Sequence, residues 1–125
     1  MRAGSWATPS ARRAARYAPE TGWLDDFERQ EGFRLLLCHH PEYYPRYLAS
    51  RRIDLVLSGH AHGGQWRPFG VAVFAPGQGV FPRYTSGLYE DRLIVGRGIG
   101  NPLWIPRLWN RPEVILITLH PERRK

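Results

Sequence analysis

The chain has 125 residues, of which 42% are hydrophobic and 23% charged, so it is long enough for one domain with a buried core and is unlike disordered or fibrous proteins. Its formal net charge of +7 comes from 17 arginines and one lysine, which are scattered along the sequence rather than gathered in one block. Such a surface favours phosphate-bearing ligands, but the absence of a recognisable basic and aromatic motif predicts no specific nucleic-acid partner.

Residues 1–31 are rich in Arg, Ala and Ser and have no convincing apolar periodicity before Trp23, which predicts a loosely ordered segment. Its composition is similar to that of an organelle transit peptide, and a misassigned start fits equally well. No stretch of the chain approaches the roughly 18 apolar residues of a membrane-spanning helix. We therefore expect no transmembrane segment and a chain that is soluble as written, with its compartment unassigned.

The first predicted elements surround one short apolar run. Trp23, Leu24 and Phe27 fall at helical spacing, which predicts a short helix within 21–30. Residues 33–38 are mostly apolar and are followed by histidines and a proline, a pattern typical of a buried strand. Cys38 ends this run and is the only cysteine of the chain, so we expect a buried thiol and no intrachain disulfide.

A second buried strand is predicted at 53–58, and residues 44–51 between the two strands predict a helix. A strand, helix, strand unit of this length commonly produces neighbouring parallel strands. Loops beyond the carboxyl ends of such strands carry function, and both strands run directly into histidines.

The rest of the chain predicts further strands and loops. Strands are expected at 71–74, 92–96 and 114–119, a Gly/Pro-rich connection at 76–87, a packed loop at 103–109 and a basic tail at 121–125. Strands that alternate with helical segments indicate an α/β fold.

Four of the five histidines form two clusters, His39 with His40 and His60 with His62. Neutral imidazole is a common ligand of zinc, iron and manganese, and the glycines around the second cluster allow the irregular turn that brings both rings to one site. A His-x-His pair alone is weak evidence, because surface histidines and hydrogen-bonded core histidines are common. Two clusters at the ends of neighbouring strands favour a metal site.

The segments LLLCHHPE at 35–42 and DLVLSGHAHGGQ at 54–65 resemble the last two motifs of the calcineurin-like metallophosphoesterases. The bacterial branch of YkuE-like and YaeI-like phosphodiesterases is the most similar. Later segments, FAPGQG at 74–79 and RGIG at 97–100 among them, are similar to the same branch. The resemblance covers residues 32–120 and implies the C-terminal half of the family domain.

The resemblance implies a metal-dependent hydrolase of phosphoesters, with two divalent ions, such as manganese, iron or zinc, in the complete site. His39 and His60 would bind one ion, and His62 the other. His40 does not match a ligand position. It would lie near the substrate, as would Gln65 and Arg67, whose guanidinium suits phosphate oxygens. The alternative for His40 is an ordinary loop residue, and the alternative for Arg67 is a solvated side chain.

The family fold is an α/β/β/α sandwich, so the resemblance implies a partial sandwich in residues 32–120. No Asp-x-His, Gly-Asp-x-x-Asp or Asn-His motif precedes His39, and no catalytic acid is assigned. We therefore expect an incomplete dinuclear site, in a truncated product or in a chain that needs a partner to supply the missing half. The alternative is a non-catalytic remnant that binds a metal or a partner. Intact relatives are cytoplasmic or membrane-associated.

Overall fold

A computed structural model describes residues 2–5, 19–100 and 106–121 of the chain. The helix and strands of this part are α1 (Trp23–Glu28), β1 (Arg2–Ser5), β2 (Arg34–Leu37), β3 (Leu55–Ser58), β4 (Phe74–Ala75), β5 (Gly79–Val80), β6 (Gly87–Tyr89) and β7 (Leu93–Val95). The fold is mixed α/β, as predicted. The predicted helix within 21–30 and the predicted strands at 33–38, 53–58 and 92–96 are confirmed, each in a shorter form.

Five strands form one sheet in the order β1, β2, β3, β7, β6. The first four are parallel, and β6 runs antiparallel to β7. The strands β4 and β5 form a separate antiparallel pair. The register places Leu36 beside Val56 and Leu57 beside Ile94. The predicted parallel pairing of the two apolar strands is therefore confirmed, and their carboxyl ends lie at the same edge of the sheet.

The connection between β2 and β3 consists of two helical turns. The first is tighter than an α-helical turn, and the second is wider. A 3₁₀ turn at Pro41–Tyr43 leads into a π-helical turn at Tyr44–Leu48. The backbone N–H of Ala49 donates to the carbonyl of Tyr44 over 2.8 Å, which is the i to i−5 bond of a π-turn. The helix predicted at 44–51 is therefore present at the expected position, but its hydrogen bonds are those of a π-helix rather than an α-helix. Pro45 lies in this segment and has no N–H to donate.

The core lies on one face of the sheet, beneath α1 and the π-helical turn. Leu36 and Leu93 from the strands are fully buried there, together with Leu24 from the helix. The other members of this core are Phe27, Cys38, Tyr44, Leu48, Ile53, Val56, Ala61, Ala75, Tyr84 and Val95. Cys38 is buried and unpaired, as predicted, and burial raises the pKa of its thiol to about 12.

The opposite face of the sheet is more open. Leu37 points away from the core and is 41% exposed. A cavity of about 290 Å³ lies beside β3 and β7, with Leu57, Ile94 and Ile115 among its apolar walls. The segment 112–121 is extended and covers part of this face, with Val114 and Leu116 largely exposed. The sheet therefore has one closed and one partly open apolar face.

Three features differ from the sequence predictions. Residues 114–119 do not form a strand: Ile115 and Ile117 lie beside β3 and β7, and each of these strands is already paired on both sides. In the expected strand at 71–74, only Phe74 pairs, as part of β4. The segment 1–31 is predicted to be loosely ordered, yet it contains β1. Parallel pairing with β2 uses backbone groups, so it does not require an apolar run in the sequence.

Other predicted segments stay predictions. Residues 6–18, residues 103–105 of the expected packed loop and nearly all of the basic tail lie outside the described part of the chain. In the described part of that loop, Leu108 and Trp109 are exposed, so packing is not observed there. In the described part, no helix has the length and apolar character needed to cross a membrane.

One ion pair joins the starts of β2 and β3. The Asp54 carboxylate accepts hydrogen bonds from the Arg34 backbone N–H at 2.7 Å and from its Nε at 3.0 Å. These bonds from the Arg34 side chain are the main reason that the pKa of Asp54 lies below its ordinary value, although partial burial acts in the opposite direction. The pair holds the register in which the two strands deliver their histidines.

Leu36 and Leu37 provide a matched test of the one-sided core. We expect Leu36→Ala to lower the free energy of unfolding by about 2–5 kcal/mol, because it leaves a cavity under α1. Leu37→Ala, one residue along the same strand, should cost less than about 1 kcal/mol because its side chain lies on the open face. Urea denaturation followed by circular dichroism measures both, and equal losses would contradict a core on one face only.

Asp54→Asn should make the stability of the chain less dependent on pH. Because the pKa of Asp54 is lower in the folded state, its contribution is complete above the unfolded value of about 3.9 and is lost as the pH falls through the folded value. The difference in unfolding free energy between wild type and variant should therefore shrink between about pH 6 and pH 3. Asp26→Asn, which removes an exposed pair with Arg29, is the control and should show little change at either pH.

Candidate metal centre

Three imidazoles meet beyond the carboxyl ends of β2 and β3. His39 and His40 directly follow β2, and His60 follows β3. One ring nitrogen from each histidine lies within 4.8 Å of the other two. The shortest of these approaches joins Nε2 of His39 to Nδ1 of His60 at 2.9 Å. The two predicted histidine clusters are therefore neighbours, as the parallel sheet requires.

Backbone hydrogen bonds continue the sheet into this site. The Cys38 N–H donates to the carbonyl of Leu57 at 2.9 Å, and the His60 N–H donates to the carbonyl of His39 at 3.0 Å. The hydroxyl of Ser58 also donates to the Cys38 carbonyl, at 2.6 Å. The two histidine-bearing loops are thus joined to each other by the same ladder that joins the strands.

Burial keeps His39 and His60 neutral. Desolvation, with the neighbouring His40 and His39 as smaller causes, lowers the pKa of His60 to about 4. The pKa of His39 is lowered for the same first reason, and His40 again adds to the effect. A neutral imidazole has a free lone pair, which is the form that binds a metal ion. At neutral pH both residues are therefore in the ligand form.

The arrangement fits a divalent ion that accepts nitrogen ligands. Nδ1 of His60 faces Nε2 of His39, whereas Nε2 of His60 is buried and has no hydrogen-bond partner among the described residues. Two ligand nitrogens that each lie about 2.1 Å from one ion are about 3.4 Å apart at the tetrahedral angle usual for zinc and about 3.0 Å apart at the right angle of an octahedral ion. The separation of 2.9 Å between His39 and His60 agrees with the shorter spacing. Zinc, iron and manganese are ions of this class.

His40 and Glu42 form a hydrogen-bonded pair at the inner side of the site. Nδ1 of His40 lies 2.8 Å from Oε1 of Glu42, and the histidine is 3% exposed. The His40 ring is tilted against that of His60, with centroids 4.0 Å apart, and stacks on Tyr43. Sequence reasoning missed Glu42. The signal available was a carboxylate two residues after a histidine, across a turn that begins with a proline.

His62 lies near the other histidines but does not join their group of three. Its Nδ1 lies 3.4 Å from a terminal nitrogen of Arg107, and its backbone has a positive φ of 47°. Burial is the main cause that lowers the pKa of His62, and the charge of Arg107 is the second. The assignment of His62 to a second metal ion stays a prediction.

The expected substrate residues Gln65 and Arg67 lie on the far side of the same turn. Gln65 is buried, with a φ of 48°. Arg67 donates to the carbonyls of Gly63 and Gly70, both at 2.8 Å, and to the Thr85 hydroxyl at 3.1 Å. The Arg67 guanidinium therefore braces the turn here, and contacts of either residue with phosphate stay predictions.

Asn110 holds the turn that carries His62 and is a second residue that sequence reasoning missed. Its side-chain amide donates to the carbonyls of His62 at 2.6 Å and Gln65 at 3.3 Å. Asn110 is buried against Gly63, where any Cβ would overlap the asparagine amide. No local signal marks this asparagine, because its partners lie more than 40 residues earlier in the chain.

Comparison with known proteins places this site in a family context. The chain is 39% identical over 90 residues to phosphodiesterase YaeI of Escherichia coli, which is 69% of this chain and 32% of that protein. It is 34% identical over 91 residues to YkuE of Bacillus subtilis, named an uncharacterized metallophosphoesterase, which is 70% of this chain and 31% of YkuE. An uncharacterized metallophosphoesterase of Helicobacter pylori is 30% identical over 120 residues, 91% of this chain and 30% of that protein.

No family model matches the chain, and no solved structure gives a significant match. The chain spans about a third of the length of the curated relatives that it matches. The resemblance seen in the sequence is confirmed: this chain is a relative of the metallophosphoesterases.

Proposed function

We propose that this chain carries metal-binding residues of a phosphoester hydrolase. The observation that carries the proposal is the convergence of three imidazoles at the ends of β2 and β3, with a nitrogen separation of 2.9 Å between His39 and His60. A relative named as a phosphodiesterase supports a phosphoester as substrate. Neither observation would be sufficient alone, because histidine clusters occur in many classes of enzyme.

In this proposal His39 and His60 are the first ligands, since both are neutral at physiological pH. A divalent ion held there would lower the pKa of a bound water and stabilise negative charge on the phosphoryl oxygens. His62 is the proposed ligand of a second ion, and Gln65 with Arg67 the proposed contacts of the substrate. Arg67 would exchange one of its carbonyl partners for a phosphate oxygen, which a charge-assisted bond favours.

The proposed setting of this site is an α/β/β/α sandwich. The helix α1 and the sheet that it covers would form one half of the sandwich. The open face of this sheet would pack against a second sheet. The exposure of Leu37 and the apolar cavity beside Leu57 and Ile94 support this arrangement, because both lie where such a layer would pack. Further ligands for a second ion, from this chain or another, belong to the same proposal.

Metal binding without hydrolysis is a second candidate function. It is favoured by the composition of the group, which in the described part of the chain consists of imidazoles only. A bridging carboxylate normally holds two ions close together in a dinuclear hydrolase, since it offsets their mutual repulsion. A group of three imidazoles suits a single ion.

We expect the purified chain to bind manganese or zinc and to lose affinity when a ligand is removed. Loss of an outer-shell partner of a metal ligand weakens metal binding roughly 10–100-fold. His39→Ala and His60→Ala each remove a ligand itself and should weaken binding by at least as much. His120→Ala, which removes an exposed histidine outside the group, is the matched control and should bind as the wild type does. Isothermal titration calorimetry measures all three.

Equal affinity in His60→Ala and His120→Ala would remove His60 from the site. Binding of two ions per wild-type chain would indicate that further ligands complete the centre, whereas one ion would support the single-ion group.

Hydrolysis of bis(p-nitrophenyl) phosphate separates the two candidate functions. The phosphoester hydrolase predicts manganese-dependent release of nitrophenol that chelation abolishes and that His60→Ala reduces by a factor of about 100 or more, as expected when metal-derived stabilisation of the transition state is lost. Metal binding with no hydrolysis, in a chain that is folded by circular dichroism, would support the second candidate instead.

A further inference from the structure

We propose that His40 is the third nitrogen donor of the metal group and that Glu42 is the residue that positions it. This inference rests on the proposed metal binding and adds to it a ligand set of His39, His40 and His60. The sequence resemblance assigns His40 no ligand role, and it assigns none to Glu42. The inference comes from burial, from ring contacts and from one hydrogen bond.

The His40 ring lies inside the group. Its centroid is 4.0 Å from that of His60 and 5.2 Å from that of His39. The side chain is almost fully buried, and the thiol of Cys38 hydrogen-bonds to the His40 carbonyl at 3.4 Å, which restrains the backbone. A buried polar ring requires partners for both nitrogens. Glu42 is the partner of Nδ1, and one ring nitrogen of His40 lies within 4.8 Å of a ring nitrogen of His39 and of His60.

Glu42 determines which nitrogen of His40 is available. A carboxylate can only accept hydrogen bonds, so the contact of 2.8 Å requires the proton of His40 to lie on Nδ1. In the neutral ring the lone pair then lies on Nε2. Metal-binding histidines commonly have this arrangement, in which a carboxylate orients the ring and raises the basicity of the ligand nitrogen.

The neighbouring loop is built to accommodate this carboxylate. Gly77 has a φ of 78°, and a Cβ at this position would overlap Oε1 of Glu42. The glycine therefore lets a second loop close over the carboxylate while the hydrogen bond to His40 is kept. Burying a carboxylate costs free energy, and packing alone does not offset that cost. An orienting role for Glu42 explains why the charge is retained there.

Electrostatics favour His40 over His62 as the third donor. The guanidinium of Arg107 lies 3.4 Å from Nδ1 of His62, and a cation this close repels a metal ion at the same imidazole. Glu42 has the opposite effect beside His40, because its negative charge attracts the ion. The carboxylate and the guanidinium therefore both direct a single ion toward the side of the group where His40 lies.

The test combines zinc titration with long-range ¹⁵N spectra of the histidine rings. We expect His40→Ala and Glu42→Ala to weaken zinc binding by about 10–100-fold, as removal of a ligand or its orienting partner does. Glu42→Gln keeps an acceptor for Nδ1 and should lose less than about tenfold. His62→Ala, which removes the proposed ligand of a second ion, should weaken binding of the first zinc ion less than His40→Ala does. Glu90→Ala, which removes a partly exposed carboxylate of a distant loop, is the control.

The spectra report a property that a purely structural role would not change. In the zinc-free wild type, His40 should be the Nδ1–H tautomer, and zinc should shift its Nε2 resonance. Glu42→Ala should produce a mixture of tautomers, and Glu42→Gln should restore the single form. The wild-type measurement needs no variant, so it decides the matter even if His40→Ala does not fold.

The outcomes separate this inference from the proposed function. Loss of zinc binding in His62→Ala with retention in His40→Ala, or an Nε2 resonance of His40 that zinc does not shift, would overturn the inference and leave metal binding intact. An unchanged tautomer and affinity in Glu42→Ala would overturn the role of Glu42. Absence of zinc binding by the wild type would overturn the proposed function and the inference together.

Discussion

The parallel pairing of β2 with β3 determines where the functional side chains of this chain lie. Because both strands run in one direction, the residues that follow them, His39 and His60, emerge at one edge of the sheet. The ladder continues past the last strand residue, through the bond from the His60 N–H to the His39 carbonyl. A shift of register by one residue would turn every alternate side chain to the other face and separate the imidazoles. The position of the site is therefore determined first by strand pairing and only then by the loops.

The buried core affects the protonation of the site as well as its position. Cys38 is fully inside the apolar layer, so the histidine that follows next but one, His40, starts from a buried backbone. Desolvation at this depth lowers the pKa of His60 far below neutrality and thereby keeps a lone pair available. The burial that stabilises the sheet therefore also maintains the ligand form of the imidazoles.

Much of this arrangement follows from local sequence pattern. Short apolar runs between turn residues were sufficient to place β2, β3 and β7, and the histidines after two of them predicted the metal group. The local sequence pattern does not determine which strands pair with one another. Residues 114–119 have the composition of a strand, yet they lie beside strands that are already paired on both sides, while β1, which has no apolar run, pairs with β2. Edge availability is decided by the whole topology, so propensity cannot predict it.

The same distinction explains why Asn110 escaped prediction while Gly63 did not. A glycine before a second glycine marks a turn from the sequence alone, but the partner that stabilises the turn comes from the far end of the chain, with 48 residues between Asn110 and His62. His62 and Gln65 both adopt positive φ, which costs free energy for residues other than glycine. The two hydrogen bonds from Asn110 to their carbonyls offset that cost and fix the direction of the turn. The conformation of the second histidine cluster is therefore set by a long-range contact, whereas that of the first is set by the strand before it.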